Sequence, residues 1–200
     1  GKAFSAGHDL KEMHSYRAAT DGGQAQFQAL FPRCAAVMQA IAALPQPVIA
    51  QVQGVATAAG CQLACSCDLI VASETARFGV NGINLGLFCS TPAVALSRRL
   101  APGMAFELLT TGDFLSAPRA HALGLVNRLA PPDQLAEETL KLAASIAAKD
   151  PAAVRLGKRA FRDQLGQPLP QAYATAGAAM VENALLPATA EGIQRFIDRR

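Results

Sequence analysis

Between Pro47 and Ser73 the chain reads PVIAQVQGVATAAGCQLACSCDLIVAS, and this stretch restricts the possible folds more than any other. PVIAQV is a short apolar, β-branched run of the kind that forms a buried strand, and Gly54 closes it. The small residues from Thr57 to Cys67 fit a tightly packed helix, and DLIVAS, from Asp68 to Ser73, reads as a second buried strand. Strand, turn, helix and strand make up the unit of an α/β fold. The loop from Val55 to Ala59 leads straight into the helix amino terminus, where unpaired N–H groups and the helix dipole favour a negative oxygen.

The rest of the chain extends this pattern. Phe27, Leu30, Phe31, Cys34, Val37, Met38 and Ile41 recur at spacings of three and four, which predicts an amphipathic helix over 22–44, stopped by Pro45 and Pro47. Beyond the turn at Glu74 and the segment Phe78 to Gly86, helices are predicted from about Pro92 to Leu100 and from Gly103 to Thr111. A short helix opens at Pro118 and closes on Gly124, and LVNRLA, from Leu125, is one more strand. Past Pro131 every segment is helical: Asp133 to Lys149, Ala152 to Gln164, Pro170 to Leu186 and Ala190 to Arg199. The chain thus divides into an α/β region, 1–130, and a helical region, 131–200, of the sort that packs on itself or on a neighbouring subunit. No internal repeat or low-complexity linker is present.

Composition excludes several classes of function. With 51% hydrophobic and 16% charged residues the chain builds a core, which rules out a disordered segment. Its net charge of +3 is spread along the chain, without the basic run that tracks a phosphate backbone. Charged or polar residues interrupt every apolar stretch before the ~20 residues needed to span a bilayer, which predicts a soluble protein. Gly1 to Asp9 does not read as a signal peptide. The five cysteines, Cys34, Cys61, Cys65, Cys67 and Cys89, are an odd number and fit reduced thiols. Cys61, Cys65 and Cys67 lack the C-x-x-C pairs and nearby histidines of a zinc site, so they read as small buried apolar residues.

Two segments carry a family resemblance. Ala3 to Met13, AFSAGHDLKEM, and Pro47 to Ser73 closely resemble the paired segments of the crotonase (enoyl-CoA hydratase/isomerase) family. The likeness continues through Phe78 to Gly86, LLTTGDFLSAPRAHALGLVNRLAPPDQL and EGIQRFIDRR, nearly the whole chain. It is nearer to the enoyl-CoA hydratase domain-containing members than to the short-chain hydratases. The resemblance implies a crotonase-like ββα spiral core in 1–130 and a helical C-terminal oligomerisation region in 131–200. The strands that family members carry ahead of A-F-S-A-G are missing here. Also implied are an acyl-CoA thioester as the partner, coenzyme A present only as part of that substrate, and lyase or isomerase chemistry of the fatty acid metabolism type. A homotrimer or dimer of trimers would follow, in bacterial cytoplasm or, in a eukaryote, in the mitochondrial matrix.

Chemistry in this family stabilises an enolate-like oxyanion with two backbone N–H groups, each typically worth ~10² to 10³ in rate. Carried over, these are the amides of His8 and Ala59. Ala59 replaces the family's usual glycine and therefore needs a negative φ, as the first turn of a right-handed helix supplies. The His8 imidazole is expected to face solvent or CoA, with a catalytic imidazole as the alternative. Ala3, Phe4, Ala6, Asp9, Leu10, Lys11, Val55, Ala58, Gly82, Leu85 and Phe88 fall in the segments that line substrate; Leu85, Leu87 and Phe88 read as apolar wall or as ordinary core. The two glutamates of a working hydratase fall on Gln62 and Gly82, and neither residue exchanges a proton near neutral pH. General acid–base groups contribute ~10² to 10⁴ each, so efficient hydration is not expected. Gln62 either orients a water or substrate carbonyl or simply packs, and the alternative function is a noncatalytic acyl-CoA binder or assembly subunit.

Other polar residues carry weaker readings. Asn81, Asn84, Cys89, Ser90 and Thr91 lie in or just after the loop that lines the family's acyl pocket, but Cys89 or Ser90 as a nucleophile lacks a histidine nearby in sequence. Asp68 reads as a turn or capping residue, His14 as exposed at a helical start, and His121 as exposed on a short surface helix. Lys11, Lys158 and Arg162 resemble residues near CoA phosphates, or are solvated surface charges.

Overall fold

The computed structural model describes residues 1–199. Their contacts form two compact units, one of residues 1–44 with Val48–Lys141, the other of residues 45–47 with the chain from Leu142 onward.

The first unit is a spiral of strands shared between two sheets. It opens with β1 (Ala3–Ser5), α1 (Leu10–Tyr16) and α2 (Gln24–Ala43). The apolar run PVIAQV supplies β2 (Ile49–Val52). The chain then crosses Gln53 and Gly54 and enters β3 (Val55–Thr57) in the other sheet, before α3 (Ala59–Ser66) carries it back. The step repeats: β4 (Leu69–Ser73) pairs in parallel with β2, from Ile49 opposite Leu69 to Val52 opposite Ala72. Then β5 (Arg77–Gly79) pairs in parallel with β3, ahead of a 3-10 turn at Asn81–Leu85, α4 (Ser90–Leu96) and α5 (Pro102–Thr111). In the last turn β6 (Phe114–Ser116) runs antiparallel to β5, and after α6 (Ala117–Ala122) comes β7 (Arg128–Ala130), parallel to β4. The sheets read β1-β3-β5-β6 and β2-β4-β7, a ββα spiral.

Ile70, Val71 and Ala72 of β4 are buried consecutively, so both faces of that strand are covered. With Val52, Phe78, Leu96 and Leu125 they form the core of this unit, each large side chain contributing roughly 1.5–3 kcal/mol on leaving water.

Two local readings change, and a third gains a partner. The loop expected at Val55 to Ala59 contains β3, because Gly54 lets the backbone pass close under the Lys2 carbonyl and pair on both sides. The strand expected from Leu125 begins only at Arg128: Leu125 and Val126 turn into the core, while Asn127 takes the Ile70 N–H on its side-chain oxygen at 2.8 Å. Asp68 lies in the bend between α3 and β4, as its reading as a turn residue expects. Its carboxylate accepts the Val48 N–H at 2.7 Å while its own N–H donates to the Val48 carbonyl at 2.8 Å, extending the β2–β4 ladder by one clamp.

In the second unit, α7 (Leu135–Ala147) crosses the division between the units and leads to α8 (Pro151–Gln164), α9 (Leu169–Ala184) and α10 (Pro187–Ile197). Asp150 caps α8 through the Ala153 N–H at 2.8 Å, and Arg159 of α8 pairs with Glu182 of α9 at 2.7 Å. Tyr173, Met180 and Leu185 are strongly exposed.

Candidate functional site

Because β1, β3 and β5 are parallel neighbours, their carboxyl ends share one edge of the larger sheet. Ligands of α/β sheets sit at such edges. The chain leaves β1 through Ala6–His8, β3 through Ala58–Ala59 and β5 through Asn81–Gly82, so this edge collects most of the residues singled out in the sequence. Two bonds lock the second and third exits together: Thr57 Oγ1 donates to Asn81 Oδ1 at 2.6 Å, and the Ala58 N–H to the Gly79 carbonyl at 3.0 Å.

The first two exits touch through glycines. Gly7 has φ +92°, and a Cβ there would come 3.1 Å from the Ala59 nitrogen and 3.2 Å from the Ala58 Cβ. A Cβ at Gly60 would overlap the Ser5 carbonyl, so the end of β1 lies directly on the first turn of α3. Ala59 is the first residue of α3 and has no intrahelical acceptor for its N–H. Among the described residues, neither the His8 N–H nor the Ala59 N–H donates to a protein acceptor.

The only alanine on this edge in an unusual conformation is Ala58, at φ +50° and ψ −123°, while Ala59 keeps the negative φ that the sequence requires. A side chain held so costs of order 1–3 kcal/mol. The His8 imidazole is partly exposed and packs edge-on against Phe31 of α2 at 6.0 Å, with its Nε2 closed off without a partner. α2 lies over it, which is why it does not reach solvent by that nitrogen.

Gln62 is one turn further along α3 and only 5% exposed; its Oε1 has no hydrogen-bond partner. At Gly82 a Cβ would meet the Leu87 carbonyl oxygen at 2.5 Å and Cys89 Sγ at 2.9 Å, so the loop has closed over the place a side chain would occupy. Leu85 is 67% exposed, and Leu87 and Phe88 are exposed too, which fits open wall rather than core. Cys89 packs in the core under that loop, against the nucleophile reading for it, and Ser90 Oγ reaches only the Phe88 carbonyl, at 3.4 Å. Asn84 turns toward the end of α5, donating to the Gly112 carbonyl at 3.4 Å, and Thr91 is half-buried in α4.

Around the site, Asp9 caps α1 by accepting the Lys11 N–H at 2.8 Å, leaving Leu10 and Lys11 exposed on the helix surface. Lys158 and Arg162 belong to the second unit, where Lys158 Nζ donates to the Gln46 carbonyl at 2.8 Å. His14 and His121 are exposed, His121 Nδ1 pairing with the Val126 carbonyl at 2.9 Å. Cys61, Cys65, Cys67 and Cys89 are buried and Cys34 half-buried. The hydrogen bond to Cys65, with burial, pushes the Cys61 thiol well above its ordinary range. No group of three or more His, Cys, Asp or Glu arranged to hold a metal occurs among the described residues.

The enoyl-CoA hydratase/isomerase family model matches residues 1–200. The chain belongs to the enoyl-CoA hydratase/isomerase family. It is 45% identical over 200 residues to "Enoyl-CoA hydratase domain-containing protein 3, mitochondrial" of Rattus norvegicus, covering all of this chain and 65% of that relative's length. It is also 34% identical over 203 residues to "Crotonyl-CoA hydratase" of Syntrophomonas wolfei, covering 75% of it. Among solved structures, an enoyl-CoA hydratase of Mycobacterium smegmatis superposes with a TM-score of 0.94 at 52% identity, over the whole chain and 76% of its own. The human enoyl-CoA hydratase domain-containing protein 3 gives 0.92 at 44%, over the whole chain and 77% of its own. The crotonase fold read from the sequence is the fold found.

In this member of the enoyl-CoA hydratase/isomerase family, three residues that shape the edge escaped the sequence reading. Gly60 was visible only as one glycine in a small-residue run. Nothing in the sequence marks the strain at Ala58. Arg99 is 33 positions beyond Ser66, yet its guanidinium donates to the Cys65 carbonyl at 3.1 Å and to the Cys67 carbonyl, placing a cation at the carboxyl end of α3.

Proposed function

We propose that the chain binds an acyl-CoA thioester with its carbonyl oxygen between the His8 and Ala59 N–H groups, and that these amides stabilise an enolate-like oxyanion. The carrying observation is that both amides lack a protein acceptor at two bends held together by Gly7 and Gly60. Tight packing around α3 keeps the Ala59 amide in place before any ligand arrives. Hydration of an enoyl thioester is slow in this reading. An amide at Gln62 moves no proton, and Gly82 leaves no space for a carboxylate, where the family resemblance puts glutamates. That closed space also favours the second reading, a noncatalytic acyl-CoA binder.

By the same resemblance the protein is a homotrimer or a dimer of trimers, and the exposed Leu165, Leu169, Tyr173, Met180 and Leu185 supply apolar surface for such contacts. Its five cysteines, none of them in a disulfide among the described residues, suit a reducing compartment that holds CoA esters, bacterial cytoplasm or mitochondrial matrix. No helix among the described residues is long and apolar enough to cross a membrane.

Calorimetry with butyryl-CoA and with S-butyl-CoA, the thioether that lacks the carbonyl oxygen, tests the reading directly. The thioester is expected to bind at least about tenfold more tightly, because only it presents an oxygen to the two amides. Equal affinity would exclude carbonyl recognition. Turnover of crotonyl-CoA alongside separates the two readings: a slow but measurable rate supports catalysis, and binding without turnover supports the binder.

A further inference from the structure

A helix leaves its last four carbonyls without donors of its own, and at the carboxyl end of α3 these belong to Leu63 through Ser66. Cys67 answers two of them locally, its N–H reaching the Ala64 carbonyl at 3.3 Å and its thiol the Leu63 carbonyl at 3.4 Å. The next bond comes from far along the chain. Arg99, in the turn just past α4, donates its Nε to the Cys65 carbonyl at 3.1 Å and its Nη2 to the Cys67 carbonyl. A neutral donor would satisfy these oxygens, yet the fold supplies a cation.

That charge has no acidic partner. No ion pair joins Arg99 to an acidic side chain among the described residues, and Asp68, the acid nearest α3 in sequence, receives the Val48 N–H on its carboxylate at 2.7 Å. What the guanidinium faces is the negative end of the α3 dipole. From the Ala59 N–H to the Cys65 carbonyl the helix rises about 9 Å, which puts the guanidinium about 12 Å from an oxygen held by that N–H. At that distance, with an effective dielectric of about 20, a unit cation favours a unit anion about tenfold. Arg99 is half-buried, and solvent reduces this to about threefold.

We propose that Arg99 strengthens the candidate carbonyl site from the far end of α3, its charge offsetting the negative end of the helix and making the Ala59 N–H a better partner for an oxyanion. The inference rests on the carbonyl-binding reading. Packing fixes where the Ala59 N–H points, and Arg99 sets how strongly that end of the helix draws negative charge. Arg99 touches no ligand atom; it acts through α3, as a positioning residue and not a catalytic one.

Acetoacetyl-CoA reads the effect, because its enolate absorbs in the near ultraviolet and the neutral ester does so far less. On the whole protein carrying this chain, the pH midpoint of enolate formation is expected to lie below that of the free ester. In Arg99→Gln, which keeps N–H donors and loses the charge, it is expected to rise by about 0.5 pH unit, the threefold loss. Arg99→Lys, which keeps the charge, is expected to hold the midpoint of the unaltered protein. Lost stability alone does not move a midpoint read on folded, saturated protein. An equal rise in both variants would overturn the inference, since the shape of the guanidinium and not its charge would then matter, and so would the absence of a rise in Arg99→Gln. Absence of binding, or a bound midpoint no lower than the free one, would overturn the carbonyl-binding reading and this inference with it. Should Arg99→Gln not fold, Ser66→Asp sets a carboxylate at the last residue of α3 with Arg99 in place; the same rise is expected, and an unmoved midpoint overturns the inference.

Discussion

Two helices of the first unit, α3 and α2, pack against each other and border the same strand ends, yet they are held in opposite ways. In α3, Ala59, Gly60, Cys61, Gln62, Ala64 and Cys65 are all buried, six of eight residues; in α2, none of twenty is. Small side chains bring the α3 backbone into contact with β1 and the core. α2 rides outside on half-buried rings, with Phe27 stacked on Phe31 and Phe31 meeting His8, and Pro32 removes one N–H from the middle of its ladder. Even their beginnings differ: α2 starts after Gly22 and Gly23, at φ +66° and +90°, where glycine is at ease, and α3 starts after Ala58, at φ +50°, where alanine is not. The Ala59 side of the candidate carbonyl site is thus fixed by buried backbone, and the His8 side is bordered by an outer helix free to open locally.

The sharpest way to break this contrast is to thicken α3. Gly60→Ala puts a methyl group into the Ser5 carbonyl, and backbone against backbone has no rotamer through which to yield. Destabilisation by about 3 kcal/mol is expected from such overpacking, read as a lower urea midpoint, together with loss of butyryl-CoA binding as β1 is pushed off the helix. An unchanged midpoint would mean that the two bends are not held together as described.

The way into α3 gives a smaller effect of opposite sign. Ala58→Gly removes the Cβ that makes φ +50° costly, a gain set against the extra freedom of glycine in the unfolded chain. A net stabilisation of about 1 kcal/mol is expected, seen as a raised midpoint with the slope unchanged. Were the variant less stable than the parent, the conformation at Ala58 would not be a strained one.

The same difference explains what could be read in advance. α2 announced itself through apolar residues at three- and four-residue spacing and a proline stop, and it was found within two residues of its expected limits. β4 was legible because it is an apolar run covered on both sides, and β2 because its run is short, mostly apolar and β-branched, although its Gln51 is exposed. β3 and β6, three residues each, are too short to show a period, and only pairing across the sheet makes them strands. At the site, the paired segments around His8 and Ala59 were visible through their resemblance to a family. The closure over Gly82, the packing of the His8 ring and the crowding at Gly60 were not, since each depends on atoms from segments distant in sequence: Leu87 and Cys89, Phe31, and Ser5.

The gentlest probe acts on the start of α2 and should leave α3 alone. Asp21 accepts the Gly23 N–H on one carboxylate oxygen and the Ala25 N–H on the other, both at 2.9 Å, in place of a side-chain cap at Gly23 itself. These bonds, the one from Ala25 foremost, hold the Asp21 carboxyl below its ordinary value of 3.8. A carboxyl whose value is lowered by folding contributes fully above its unfolded value, and its contribution fades as the pH falls through the lower, folded one. Hydrogen exchange at the first α2 amides, corrected for the intrinsic rate, is therefore expected to quicken between about pH 5 and pH 3, while the α3 amides keep their protection. Asp21→Asn should abolish that pH dependence, because its side chain does not titrate in this range. If both helices lost protection together, α2 would be no more loosely held than α3, and the contrast between them would fail.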